Sequence, residues 1–187
     1  MPFLTSIKLK KMGFASIGQN VLISDKASIH NAGKVFIGND VRIDDFCVVS
    51  AGDGGVYIGN NIHIAVFSSL IGAGKIQLSD FCNISSRVSI YSSNDDYSGE
   101  YMTNPTVPDA YKNVTVADVY IGRHVIVGSG AVILPGVTIA EGAAIGALSL
   151  VNQDCGEFKI YSGIPIRLIK ERKKNILNLE HDYRTTN

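Results

Sequence analysis

Four histidines, three cysteines and the adjacent carboxylates of Asp95 and Asp96 are the candidates for chemistry in this chain. A histidine, with an ordinary pKa of about 6.5, takes a proton from a hydroxyl near neutral pH. A carboxylate, with an ordinary pKa of about 4, is poorly matched to that task, yet it can orient an ammonium group and help it shed a proton. Asp95 and Asp96 stand in the run Tyr91-Ser-Ser-Asn-Asp95-Asp96-Tyr97, which holds no histidine. The plain alternative for such a pair is a turn, which Asn and Asp favour. His63 and His124 lie in apolar surroundings in mid-chain, His30 lies toward the N-terminus and His181 in the tail.

What must position these residues is a repeat. Ile17, Ile23 and Ile29 are spaced by six, and after a slip of two the spacing resumes at Ile37, Ile43 and Val49. Further slips lead to Ile58, Ile64 and Leu70, then to Leu78, Ile84 and Ile90. Residues 91–120 interrupt the pattern, which ends in an unslipped run of Ile121, Val127, Ile133, Ile139, Ile145 and Val151. Slips come only after three steps, so three hexads make one coil of three short strands, about six coils in all. The expected fold is an all-β solenoid over 17–155, with an N-terminal segment at 1–16 and an extended piece and short helix in 156–187. Leu168, Ile169, Ile176, Leu177 and Leu179 are spaced for a modest amphipathic helix in that tail.

The residue four after each aliphatic is mostly small or β-branched, as an inward position requires. Cys47, Cys82 and Cys155 all fall at this offset, so they read as small core residues and not as nucleophiles. Glycine often follows the aliphatic, as at Gly38, Gly59 and Gly128, which suits a tight corner. Residues 91–120 are polar, carry Pro105 and Pro108, and are too long for an idle connection.

The 187 residues are 45% hydrophobic and 18% charged, with a formal net charge of zero. That balance describes a globular chain with no basic excess for nucleic acid. No apolar run is long enough for a transmembrane helix, and MPFLTSIKLKKMGF lacks the apolar stretch of a signal peptide. The expected compartment is the cytoplasm, with no membrane insertion.

The hexad pattern resembles the hexapeptide-repeat acyltransferases, which implies a left-handed parallel β-helix with a protruding loop. The stretch IGRHVIVGSGAVILPGVTIAEGAAIGALSLV, followed by IYSGIPIRLIK, is similar to the maltose, galactoside and antibiotic acetyltransferase branch. The run SNDDYSGEYMTNPTVP looks more like the acetyltransferases of bacterial surface-polysaccharide clusters. The resemblance implies a homotrimer with active sites between subunits, a long loop reaching toward the neighbour, and acetyl-CoA running along the C-terminal coils.

Carried over by position, the branch's catalytic histidine falls on Asp95 and its sugar-binding asparagine on Ala65. The candidate catalytic residues are therefore His63, Asp95 and Asp96, with His124 a further histidine near the implied coenzyme path. On the coenzyme side the resemblance points to Ser129, Ala147, Asn152 and Gln153, and to Arg167 and Lys170 for the adenosine phosphates. The branch has a basic residue where Gln153 stands. No metal is expected, because the zinc enzymes of this fold need three histidines on neighbouring coils, a spacing this chain lacks. The missing loop histidine favours an amine acceptor, such as a nucleotide-linked amino sugar in O-antigen or other surface-polysaccharide synthesis. The alternatives are sugar O-acetylation with His63 as base, and a non-catalytic solenoid that serves as an interaction surface.

Overall fold

A computed structural model of the chain describes residues 2–186. Its strands stack into three parallel sheets, the faces of a triangular prism. The first face comprises Ser16–Ile17, Val35–Ile37, Val56–Ile58, Ile76–Leu78, Val119–Ile121 and Thr138–Ile139. The second runs from Leu22–Ile23 through Val41–Ile43, Ile62–Ile64, Asn83–Ile84 and Ile126–Val127 to Ala144–Ile145. The third runs from Ser28–His30 through Val48–Ala51, Ser69–Gly72, Ser89–Tyr91 and Val132–Ile133 to Leu150–Val151.

The hexad aliphatics form three columns in register. Ile17, Ile37, Ile58, Leu78, Ile121 and Ile139 pair rung to rung on the first face. Ile23, Ile43, Ile64, Ile84, Val127 and Ile145 do so on the second, and Ile29, Val49, Leu70, Ile90, Ile133 and Val151 on the third. All but Ile17 and Ile29 are buried. The cysteines are buried and free among them, and burial pushes the thiols of Cys82 and Cys155 up to about 12 and about 11.

The glycines that follow some of the aliphatics have a different cause from the tight corner expected. Gly38, Gly122 and Gly128 are not in the left-handed region. A Cβ on Gly38 would lie 2.6 Å from the Gly59 carbonyl oxygen, and one on Gly128 would lie 2.5 Å from the Ala147 nitrogen. The glycines are there because successive rungs approach backbone to backbone. The left-handed backbone instead falls three residues after the aliphatic. Asn20, Asp40, Asn61, Phe81 and His124 adopt it between the first and second faces, and Phe46, Phe67, Arg87 and Leu148 between the second and third, with φ from 54° to 61°. Side chains other than glycine rarely adopt this conformation. At these corners stacking offsets its cost: the Phe46 and Phe67 rings lie 5.0 Å apart, and those of Phe81 and His124 5.1 Å.

The slips lie at the third corner, between the third face and the first, where residues 31–34, 52–55 and 73–75 bulge outward. The long loop leaves from this same corner. Its stem is a short antiparallel pair, Ser93–Asn94 with Thr115–Val116. Buried Ser92 anchors the stem by donating from Oγ to the Gly74 carbonyl at 2.7 Å.

At the N-terminal end the helix Ser6–Lys11, capped by Thr5, places Leu9 against the core. At the other end Lys159–Ser162 adds a partial seventh rung to the second face, and Arg167–Glu171 returns antiparallel along its edge. Leu168 and Ile169 therefore lie in an exposed strand and not in the expected tail helix, which spans only Ile176–Thr186. The open edge of the seventh rung offers unpaired backbone groups, and satisfying them outweighs the weak helical periodicity of this stretch. Just past this strand, the Arg172 guanidinium donates to the carbonyls of His124, Gly142 and Ala143.

The tail helix descends along the first corner. Buried Glu180 bonds the Nε2 of His124 at 2.5 Å and also binds Arg123 and Arg184. His124 is thus committed to holding the helix.

Two outcomes are expected. Ile84→Ala should destabilise the fold by about 2–5 kcal/mol, read as a lower denaturant midpoint, whereas the exposed Leu22→Ala should move it little. Burial raises the Glu180 carboxyl, but bonds from Arg184 and His124 outweigh it and leave the group below its ordinary value. The stabilisation from Glu180 should therefore be complete above about pH 4.3, the ordinary glutamate value. It should fade as pH falls through the lowered value, and Glu180→Gln should flatten this acid dependence in a pH series of melting curves.

Candidate active site

The stem of the long loop carries Asp95 just outside the prism. A cavity of about 440 Å³ opens there, lined by Tyr91, Ser93, Asn94, Asp95, Tyr97, Val114, Val132 and Leu134. Tyr91 ends the fourth coil's strand on the third face, and Val132 and Leu134 belong to the coil above. The third face and the loop therefore hold Asp95 in a cavity of mixed polarity, with Val132 and Leu134 on one side and Ser93 and Asn94 beside it.

Asp96 is differently placed. Its carboxylate accepts from the Ser98 hydroxyl and from the Gly99 N–H at 3.1 Å. The Ser98 bond is the main cause of a pKa below the ordinary carboxylate value. Asp96 makes the turn that the sequence offered as the alternative, and it does not line the cavity beside Asp95. Beyond it the loop presents Tyr97, 86% exposed, together with exposed Tyr101, Met102 and Tyr111.

An apolar cleft of about 410 Å³ lies beside this cavity, lined by Gly130, Val132, Leu148, Ser149, Leu150 and Ile164. Val132 lines both, so the two spaces adjoin. Ser129 and Ala147 are exposed at the corner next to the cleft, and the Ser129 carbonyl accepts the Leu148 N–H at 2.9 Å. Asn152 is exposed just past the last full coil. Gln153 donates from its side chain to the Ile166 carbonyl at 3.2 Å and so braces the exit strand.

Arg167 and Lys170 are exposed on that strand. Residues three apart ordinarily face opposite sides of a strand. Here the register shifts at Ile160/Tyr161, so that Lys170 sits opposite Ile160 and Arg167 opposite Ser162. Ile160 and Ser162 share a face, so the extra residue Ile169 brings Arg167 and Lys170 to one side. Two cations on one face suit an anion with several phosphates.

His63 lies elsewhere, on the second face. Its Nε2 bonds Asp44 Oδ2 at 2.8 Å, and Asp44 Oδ1 accepts from Arg42 Nε at 2.7 Å. Asp44 is only 5% exposed. Burial raises its carboxyl, and bonds from Arg42 and His63 outweigh that and hold it below the ordinary value. Asn83 lies one rung above His63, while Ala65 and Ser85 follow on successive rungs at the next corner. Within one chain, then, the structure brings Asp95 beside the cleft of Ser129 and Ala147 but leaves His63 on another face. The Asp44 partnership of His63 escaped the sequence reading, since nothing in the hexad pattern marks an aspartate after the aliphatic as inward-facing. Among the described residues no group of His, Cys, Asp and Glu is arranged to hold a metal, and no helix is long and apolar enough to cross a membrane.

Comparison with known proteins agrees with this architecture. The family described as "Bacterial transferase hexapeptide (six repeats)" matches residues 112–153. The chain is 58% identical over 180 residues to a dTDP-4-amino-4,6-dideoxy-D-glucose acyltransferase of Escherichia coli, covering 96% of this chain and 94% of that one. It also resembles AntD, an N-acyltransferase from Bacillus cereus, in several crystal structures. One, with an aspartate replaced by alanine, holds dTDP and coenzyme A (TM-score 0.95, 46% identity, 99% of this chain and 98% of that one). In another, a serine ten positions earlier is replaced by alanine, and dTDP-4-amino-4,6-dideoxyglucose and coenzyme A are bound (TM-score 0.94, 46% identity, 99% and 98%). A third holds dTDP and 3-hydroxybutyryl-CoA (TM-score 0.93, 45% identity, 98% and 97%). With the long cavity-forming loop, the adjoining apolar cleft and these relatives taken together, the chain belongs to the bacterial hexapeptide-repeat transferases and is an acyltransferase of that family.

Proposed function

We propose that this enzyme transfers an acetyl group from acetyl-CoA to the amine of dTDP-4-amino-4,6-dideoxyglucose, or of a closely related nucleotide-linked amino sugar. The observation that carries the reading is the carboxylate of Asp95, with no histidine beside it, at the mouth of a cavity that adjoins the apolar cleft. The pantetheine arm lies in the cleft past Ser129 and Ala147, with Asn152 and Gln153 at its outer end. The adenosine phosphates meet Arg167 and Lys170. Asp95 orients the ammonium of the sugar and accepts its first proton, after which the amine attacks the thioester. A backbone N–H at a coil corner holds the developing oxyanion.

The AntD variants support Asp95 in particular. Their serine and aspartate are ten positions apart, and in this chain Ser85 and Asp95 have that spacing (95 − 85 = 10). Ser86 and Asp96 share it, but Asp96 is engaged in its own turn. Ser85 follows the second face while Asp95 leaves the corner after the third. A single site that uses both is built from two copies of the chain, in keeping with a homotrimer whose exposed loop tyrosines reach the neighbour. The reaction runs in the cytoplasm, where acetyl-CoA is supplied, and its product suits O-antigen or other surface-polysaccharide synthesis.

Purified enzyme with acetyl-CoA should release free thiol when given dTDP-4-amino-4,6-dideoxyglucose, and not when given dTDP-glucose or a simple galactoside. Asp95→Asn should lower kcat by about 100-fold or more, with acetyl-CoA binding retained in calorimetry. Asp96→Asn should keep most of the rate. Transfer to hydroxyl acceptors at a comparable rate would replace this reading with O-acetylation.

A further inference from the structure

Converting R–NH₃⁺ to an amide removes two protons from nitrogen. One is shed before attack, and the other must leave the tetrahedral adduct as the C–S bond breaks. A single exposed carboxylate serves the first step. The second needs a group that gives its proton on to the departing sulfur, and a neutral imidazole does both tasks.

We propose that His63, on the wall that a neighbouring copy turns toward the Asp95 cavity, is this second proton-transfer group, and that Asp44 is the positioning residue that fixes its tautomer. The proposal rests on the amine-acceptor, two-copy reading above. Asp44 Oδ1 is occupied by Arg42, and Oδ2 meets His63 Nε2 at 2.8 Å. An ionised carboxylate only accepts hydrogen bonds, so Nε2 carries the hydrogen and Nδ1 carries the lone pair. Among the described residues Nδ1 has no partner, and the ring is only half-buried. Asn83 sits one rung above His63, about 4.8 Å away along the sheet. Ser85, the counterpart of the AntD serine, is two residues past Asn83, above the small Ala65. His63 therefore shares a wall with the residue that marks the acceptor side.

The steps balance. Asp95 takes the first proton and loses it to solvent, and the amine lone pair forms the N–C bond. His63 Nδ1 takes the second proton from the adduct. On collapse the C–S electron pair goes to sulfur, and His63 returns the proton to give CoA–SH.

A merely structural ion pair predicts different variant behaviour. His63→Ala should lower kcat by about 100-fold while the acceptor KM changes by less than about threefold, and added imidazole should restore part of the rate. Asp44→Asn should lower kcat roughly tenfold on its own and add nothing in the His63→Ala background, because it acts through the ring. Trimers assembled from a mixture of His63→Ala and Asp95→Asn chains should recover about a quarter of the wild-type rate, since one pairing in four joins two intact residues. His63→Gln, closer in shape, guards against a folding defect and should be as slow as His63→Ala. Wild-type kcat in both His63 variants overturns the proposal, as does an Asp44→Asn loss that persists undiminished without His63 or a mixture that stays inactive. These outcomes leave the acceptor reading intact, whereas a wild-type enzyme that acetylates no amino sugar removes both.

Discussion

The in-register stacking of one aliphatic on the next governs the rest of this molecule. A rung cannot bury its inner face alone, so each coil depends on the coils above and below. Each fully buried aliphatic contributes about 1.5–3 kcal/mol, and a one-residue slip would turn a strand's core side chains outward. The spacing of six is therefore enforced at every step along the faces. Freedom is left only at corners. Two corners are fixed by the left-handed residue three after the aliphatic and by the close approach of backbones at glycine. The corner between the third face and the first tolerates extra residues, and it is there that the loop with Asp95 leaves.

That division explains what could be read from the sequence. The columns were legible because burial constrains residue type at each position separately, whatever the neighbours. The loop was legible as a break in the columns, and the cysteines as core because they shared an inward offset. Asp95 was marked by position, as the place where the resembled family has a histidine, and the structure puts it in the lining of a cavity. Other features depend on relations across rungs, which one strand does not encode. Asp44 and His63 are nineteen residues apart and meet only because their coils are adjacent. Arg167 and Lys170 share a face only because the partner strand's register leaves Ile169 over. Leu168 and Ile169 follow a weak helical spacing, but an unpaired sheet edge lay next to them and decided their conformation.

The same logic separates two histidines that look alike in sequence. His63 lies on the third coil and His124 on the fifth, each one rung from the fourth. His124 occupies a left-handed corner, stacks on Phe81 and is closed off by Glu180. His63 occupies mid-strand, and its ring is only partly buried. Each ring is gripped by a carboxylate through Nε2. What distinguishes the two rings is how much of each is left uncovered.

The tail helix also changes how the solenoid is assembled. In a plain stack every coil touches only its neighbours, so the contacts are close in sequence. Here Tyr183 accepts a hydrogen bond from Asn61, and Arg184 approaches Asp80 at 3.8 Å. Those links span more than a hundred residues, and they join the third and fourth coils to a segment that leaves the ribosome long after them. The early coils can zip together as they emerge, but the brace down the first corner closes only at a late stage. Such long-range closure carries a higher loop entropy cost than rung-on-rung growth. The prism thus has a local route to its shape and a distant latch that completes it.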